Sequence, residues 1–336
     1  MKKRCELNIN LLILLIAGFI ECGKNAVYKA NDYALRLIES ALENQSLEAK
    51  YQLTRHLSAD RVLEKLHLVK FEQIQDIVIN VNKKLKLPKK VILAIDWTDK
   101  LFYGCKKYSD VIGTKGGKYA RRFYEVSIVK PALFINAFPA TMFTNNKVKQ
   151  IAQLIDGFKA MYKRTEIDLL LVDRGFFTKA VVKYLVENKI RFIMPAQKNK
   201  AIKPMAEACM FAKKDITLEY MFGETRVYLI FVKIDGEVLV YMTNTKFNPL
   251  RVHLLYKKRW QIETNFREQN YFEFKTCTLD FNARYFAFIL AGLLFNLWQL
   301  MRNGKIQSYL FKQKLMKELK SLLCKIIRLE DYEPVT

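Results

Sequence analysis

Histidine is almost missing from this chain, with three in 336 residues, and the six cysteines (Cys5, Cys22, Cys105, Cys209, Cys277, Cys324) show no short paired spacing. Together these scarcities exclude a zinc cluster and a disulfide framework, and they suit a cytoplasmic protein with reduced thiols. Glycine (12) and proline (7) are sparse as well. No stretch is rich enough in Gly, Ser or Pro to act as a linker between independent domains, and no internal repeat is present, which excludes a solenoid. Acids are also in deficit: 33 Asp and Glu stand against 57 Lys and Arg, a net charge of +24. A surplus of that size, spread over the whole length, displaces counterions from a polyanion, so nucleic acid is the expected partner.

What the chain does have is apolar residues, 51% of the total and enough for a sizeable core. Two apolar runs invite a membrane reading. Leu11 to Ile20 follows a basic start, as in a secretory signal, but Glu6 interrupts the basic region and ECG lacks a small-x-small cleavage pattern. A buried N-terminal helix is expected instead. The run YFAFILAGLLFNLWQLM (285–301) is near the lower length for a span, yet it contains Asn296 and Gln299. It reads as a core helix, and no membrane partner is expected.

Residues 28–86 carry helical spacing with few breakers, Asn31 and Ser58 serving as N-caps. Within them SADRVLEKLHLVKFEQIQDI has room for a helix-turn-helix. After Pro88 the period changes to strands at 91–98, 123–130 and 132–138. A helix at 146–163, a strand at 168–175, a helix at 178–188 and a strand at 191–197 follow. Three strands and then alternating helix and strand predict an α/β fold, a mixed sheet covered by helices. TRVYLIFVKI and EVLVYMTN flank Asp235-Gly236, the signal of a type I′ hairpin, so a β-rich insertion is expected at about 198–247. Asn248 and Pro249 then open a helix expected to run to 270.

Asp96 lies where the apolar strand of AIDWT meets its loop, and Asp173 at the end of LLLVD, a strand apolar on both faces. A carboxylate there is costly to desolvate, and the carboxyl ends of strands in an open α/β sheet are where sites are built. The plainer alternatives are a turn cap for Asp96 and a pair with Arg174 for Asp173. Glu263 lies in YKKRWQIETNFREQN, where it could simply form an i,i+4 pair with Arg259. Three carboxylates without a histidine cluster suit hard divalent cations, Mg²⁺ or Mn²⁺, rather than zinc. Two such ions serve phosphodiester chemistry.

These residues resemble the DDE transposases of prokaryotic insertion sequences, in the group with a ribonuclease H-like core interrupted by a mostly β insertion before the Glu. That group carries an Asp at the end of the first core strand, an Asp-x-Gly-Phe/Tyr motif, and a helix reading Tyr-x2-Arg-x3-Glu-x6-Lys. Asp96, then Asp173 with Gly175 and Phe176, then Tyr256, Arg259 and Glu263 match in order. The last signature position is Asn270, not Lys. The resemblance covers about residues 90–300. It implies that Asp96, Asp173 and Glu263 bind two Mg²⁺ or Mn²⁺ ions and that Tyr256 and Arg259 contact transposon-end DNA. It also implies cleavage of element ends, joining to target DNA, and a homodimer that pairs the two ends. Asn270 and Arg267 are candidate further DNA contacts. So are Lys115, Lys118, Arg121 and Arg122, in what reads as a Gly-containing connection between the first two strands. The expected organisation is a helical N-terminal region (1–88) that could bind DNA, a catalytic core (89–302) and a helical tail (303–336). A catalytically inactive DNA-binding derivative and a related ribonuclease H-like nuclease are the alternatives.

Overall fold

The structure is a computed structural model that describes residues 8–49, 53–54, 56–104, 108–114, 117–143, 146–212, 214–301 and 307–330, with residue 143 and residues 322–330 described by backbone alone. Two compact units are present: Leu87–Asn265, and Met1–Lys86 together with Phe266–Thr336.

The N-terminal part of the second of these is helical. Helix α1 (Ile9–Ala17) is capped by Asn8, whose side chain accepts from the Leu11 N–H at 2.9 Å. It buries Ile9, Leu12, Ile13 and Ile16, the single stripe that 3.6-residue spacing dictates. The N-terminal apolar run is thus a packed helix. Helix α2 (Ala30–Glu43) starts two residues earlier than an Asn31 cap would place it; Lys29 is the N-cap, and Asp32 accepts its N–H at 2.7 Å. Helix α3 (Ala59–Leu68) follows Ser58 as expected, and α4 (Phe71–Asn82) follows after two residues. The apolar face of α4 is buried, and its exposed positions include Glu72, Asp76 and Asn80. Such a face repels phosphate, so α4 does not have the surface of a DNA-reading helix.

The other unit is built on one mixed sheet. Strand β1 (Lys90–Phe102) runs parallel to β5 (Glu166–Val172) and antiparallel to β3 (Tyr119–Ile128). The outer edge of β3 pairs first with the short β2 (Ile112–Gly113) and then with β4 (Leu133–Pro139). Helix α5 (Lys147–Met161) precedes β5, and α6 (Lys179–Glu187) links β5 to the parallel β6 (Phe192–Pro195). The continuous apolar run of β5 reflects its place in the middle of the sheet, where both faces are covered. Beyond β6 come α7 (Ile202–Met210) and the antiparallel strands β7 (Ile216–Phe222), β8 (Thr225–Ile234) and β9 (Glu237–Thr243). Asp235 and Gly236 both have positive φ (48° and 80°), the turn predicted for the β8–β9 hairpin. β9 pairs with β6, so the inserted segment extends the core sheet edge-on, in the order β2-β3-β1-β5-β6-β9-β8-β7.

Helix α8 (Pro249–Lys257) opens on Asn248, whose side chain accepts from the Arg251 N–H at 3.3 Å, with Pro249 in the first turn. The single helix expected over 249–270 is in fact two: a tightened turn at Lys258 and Arg259 separates α8 from α9 (Trp260–Gln269). Helices α10 (Phe281–Met301) and α11 (Ser308–Glu330) close the described chain. α10 is long and apolar enough to cross a membrane, but most of it is buried within its own unit. Its Asn296 donates to Asn82 of α4 at 3.0 Å, and the Tyr285 hydroxyl accepts from Gln75, polar pairings that suit a core helix.

Candidate active site

Register brings the two aspartates together. The last pairs between the parallel strands β1 and β5 are Ala94↔Leu171 and Ile95↔Val172, so Asp96 and Asp173 are the next residues on neighbouring strands. Adjacent strands lie about 4.8 Å apart, which sets both side chains at one level of the sheet. β5 ends there, as expected, but β1 does not. It continues past Asp96 to Phe102 in antiparallel pairing with β3, so the expected strand end at Asp96 is corrected to a strand interior.

Asp96 is nearly buried, and its Oδ1 accepts from the Trp97 N–H at 2.8 Å. Asp173 Oδ2 accepts from the Gly175 N–H at 2.7 Å and so caps a 3-10 turn, Arg174–Phe176. That bond, rather than a pair with Arg174, orients the carboxylate. The turn is pinned again from α5, where Lys147 donates to the Gly175 carbonyl. Gly175 is required by space, since a Cβ there would meet the Trp97 ring at 2.3 Å. The Asp-x-Gly pattern therefore has a local cause: the residue after Asp96 packs its ring on the glycine two places after Asp173.

The turn between α8 and α9 positions the rest. Arg259, Gln261 and Ile262 donate to carbonyls three residues back (Tyr256, Lys258 and Arg259) at 2.8, 3.0 and 2.8 Å. At three residues per turn, side chains at i and i+3 eclipse. Tyr256, Arg259 and Ile262 all point inward in consequence and are buried. The Arg259 guanidinium then stands among the acids. Its Nη1 donates to Asp96 Oδ2, and its Nη2 lies 2.9 Å from Glu263 Oε1 and 3.8 Å from Asp173 Oδ1. The expected i,i+4 pair of Arg259 and Glu263 is present, but as one part of a four-residue cluster.

Burial and charge compete in that cluster. Desolvation pushes the Asp96 carboxyl up to about 6 despite the adjacent Arg259 and the Trp97 N–H, with Asp173 and Glu263 adding to the rise. For Arg259, burial works against the charge, but Tyr256 and the three carboxylates hold its pKa above the ordinary value. The Tyr256 hydroxyl is pushed far up by burial and stays protonated.

The remaining expected contacts divide. Arg121 and Arg122 lie in β3, not in a connection, and both are already engaged. Arg121 is buried, paired with Asp110 and over the Phe102 ring. Arg122 makes a two-toothed pair with Asp99 at 2.7 and 2.8 Å. These pairings make Arg121 a structural residue rather than a phosphate contact. Lys118 is exposed in the preceding loop, Lys115 lies outside the described residues, and Arg267 and Asn270 are exposed.

Sequence reasoning missed a cavity of about 990 Å³ whose walls include Tyr256, Tyr241, His253 and Trp260, with Arg174, Lys198 and Lys257 as its cations. His253 and the Tyr241 hydroxyl are hydrogen-bonded at 3.0 Å. Only the density of rings and cations in YKKRW pointed that way. It also missed Glu125, fully buried and directly opposite Asp96 on β3, where the Ser127 hydroxyl donates to it.

The fold is shared with a solved DNA-transposition protein. A cryo-EM structure of the piggyBac transposase synaptic complex with hairpin DNA superposes with a TM-score of 0.67 at 13% identity, over 100% of this chain and 84% of that one. No curated protein matches the sequence. Residues 87–297, well over half the chain and including all three acids, match the family of the transposase DDE domain, so the chain belongs to that family.

Proposed function

We propose that the protein is the transposase of a prokaryotic insertion element, cleaving the element's ends and joining them to target DNA, with Asp96, Asp173 and Glu263 as its metal-binding catalytic acids. The observation that carries this reading is the convergence of these three carboxylates, from two neighbouring strands and a helix, on one buried cationic group. The donor set is all oxygen, which suits Mg²⁺ or Mn²⁺. Among the described residues no three of His, Cys, Asp or Glu are grouped closely enough to hold an ion as they stand. The Arg259 guanidinium pairs with or lies near all three; in ligand type and charge, though not in their present grouping, the acids suit hard cations.

When bound, such ions activate a water or a 3′-hydroxyl and stabilise the leaving oxygen of the phosphodiester. The protein's own groups do the positioning. Gly175 and Trp97 fix Asp173 through its turn, and the Trp97 N–H fixes Asp96. Tyr256 lines the cavity, and the Arg259 guanidinium, 5.4 Å from the Tyr256 ring centroid, stands among the acids. Arg174, Lys198 and Lys257 outnumber the acid Glu237 in the cavity lining and give it a net positive charge for the DNA backbone; Lys118, Arg267 and Asn270 are separately proposed as DNA contacts. A homodimer is part of the proposal, because two element ends have to be held together. The cytoplasm, where a prokaryotic chromosome is reached directly, is its place of action.

The test is a cleavage and joining assay with Mg²⁺ on DNA flanking the gene. Wild type should cut and join, and Asp173→Ala and Glu263→Ala should lose at least about a thousandfold of the rate, as for removal of a group acting in the transition state. Full activity in either variant would refute the assignment of the acids.

A further inference from the structure

Arg259 is a cation held where the proposed chemistry needs other cations. Its guanidinium is bonded to Asp96 and Glu263 and lies near Asp173, and the residue is only 6% exposed. A guanidinium and a divalent ion cannot use the same oxygens together, since they compete for the lone pairs and repel each other. The pairing is also incomplete: Arg259 Nε is buried without a hydrogen-bond partner. An unmet donor in the interior is costly, whereas a phosphate offers two acceptor oxygens at once to the planar fork of a guanidinium. Arg259 also sits in the tightened turn between α8 and α9, a geometry often found at hinges.

We infer that Arg259 is a built-in substitute for the metal charge, and that a DNA phosphate draws it off the acids, so that DNA and divalent cations load the site cooperatively. This rests on the reading of the three acids as metal ligands. In the absence of DNA the arginine holds the carboxylates and keeps the cation affinity low, which prevents a loaded nuclease site before an element end has arrived. Linkage requires the converse as well: the cation strengthens DNA binding by the same factor.

The test is Mn²⁺ binding to the full chain, followed by the paramagnetic resonance signal of free Mn²⁺, with and without a duplex taken from the DNA flanking the gene. Wild type without DNA should bind Mn²⁺ about tenfold more weakly than Arg259→Gln, within the usual range of coupling between sites. The duplex should raise the wild-type affinity by about the same factor and leave that of Arg259→Gln nearly unchanged. Arg259→Lys, which keeps the charge on a smaller head, should behave as wild type without DNA and provides a folded comparison should the glutamine variant unfold. The inference is overturned if DNA leaves the wild-type affinity unchanged, or if DNA strengthens binding equally in Arg259→Gln. Asp173→Asn and Glu263→Gln separate the two levels. If they bind Mn²⁺ as wild type does in the presence of DNA, the functional reading falls. If they lose the ion while Arg259→Gln gains nothing, only the coupling falls.

Discussion

A single methyl group at Gly175 tests how the site is held. An alanine Cβ at this position would lie 2.3 Å from both Cη2 and Cζ3 of Trp97, and 3.2 Å from Asp173 Oδ2. The backbone there is not in the left-handed region, so the penalty is one of contact and not of φ. The ring has little room to retreat. Tyr124 and Phe176 pack against it with centroids 6.3 and 6.2 Å away, and the Arg122 guanidinium lies 5.2 Å from its centroid. Forcing extra volume into a packed site costs about 1–3 kcal/mol, and a contact this short belongs in the upper half of that range. A loss of ~2 kcal/mol lowers the Tm of a unit of this size by roughly 4–8 °C. The same displacement shifts the turn that orients Asp173. A misplacement of ~1 Å at a reacting centre costs about a hundredfold in rate, so cleavage should fall by one to two orders of magnitude. Thermal melts read the first effect and DNA cleavage the second. A cycle with Trp97→Leu isolates the cause: in that background Gly175→Ala should cost under about 0.5 kcal/mol, because the two changes share one contact. An equal cost in both backgrounds would refute the ring as the reason for the glycine.

Three further outcomes follow from the charges. The folded Asp96 binds its proton more tightly than the unfolded chain does, so its stabilising contribution is fully present below pH 3.8 and is lost as pH rises to about 6, a fall of about 3 kcal/mol. Metal-free melts across pH 4–6 should show that fall in wild type, and Asp96→Asn should flatten it. Lys118→Ala should reduce the salt dependence of DNA binding by about one counterion without affecting stability. Asp110→Ala should do the reverse, leaving the salt slope intact but removing a charged hydrogen-bond partner from the buried Arg121, at a cost of about 2 kcal/mol in a denaturant melt.

Where a local pattern carried the information, the chain could be read before its structure was seen. The apolar run of β5 marks a strand covered on both faces, Asp235-Gly236 marks a hairpin, and Asn248-Pro249 marks a helix start. Each signal lies within a few residues of its effect. The misreadings share the opposite property. KYARR looks like a basic loop because the partners that make it a strand, Asp99 and Asp110, are 23 and 11 residues away. Local charge suggested a DNA contact, whereas cross-strand pairing and burial decided the matter. The strand expected over 91–98 stops short of Phe102 for a related reason, since DKLF shows no strand pattern until β3 pairs with it. The turn at Lys258 and Arg259 is invisible because YKKRWQIE has no glycine or proline, and the break comes from where its side chains are buried rather than from propensity.

That turn also explains why the acids form a graded set and not an even one. Side-chain exposure rises from 10% at Asp96 to 22% at Asp173 and 39% at Glu263. The two sheet residues are placed by register and so lie at the depth of the sheet, while Glu263 is one helical turn beyond Arg259 and faces outward. A cation or phosphate entering from solvent therefore meets Glu263 first. Asp96 is in direct contact with the guanidinium, and burial disfavours its charge. The cost of an ionised, buried Asp96 is offset by Arg259 in the free protein, and the ions that take its place once DNA has drawn it away have to supply at least as much positive charge. A chain with a net charge of +24 thus keeps one cation in reserve beneath its three converging acids, at the position where the chemistry of its family needs positive charge.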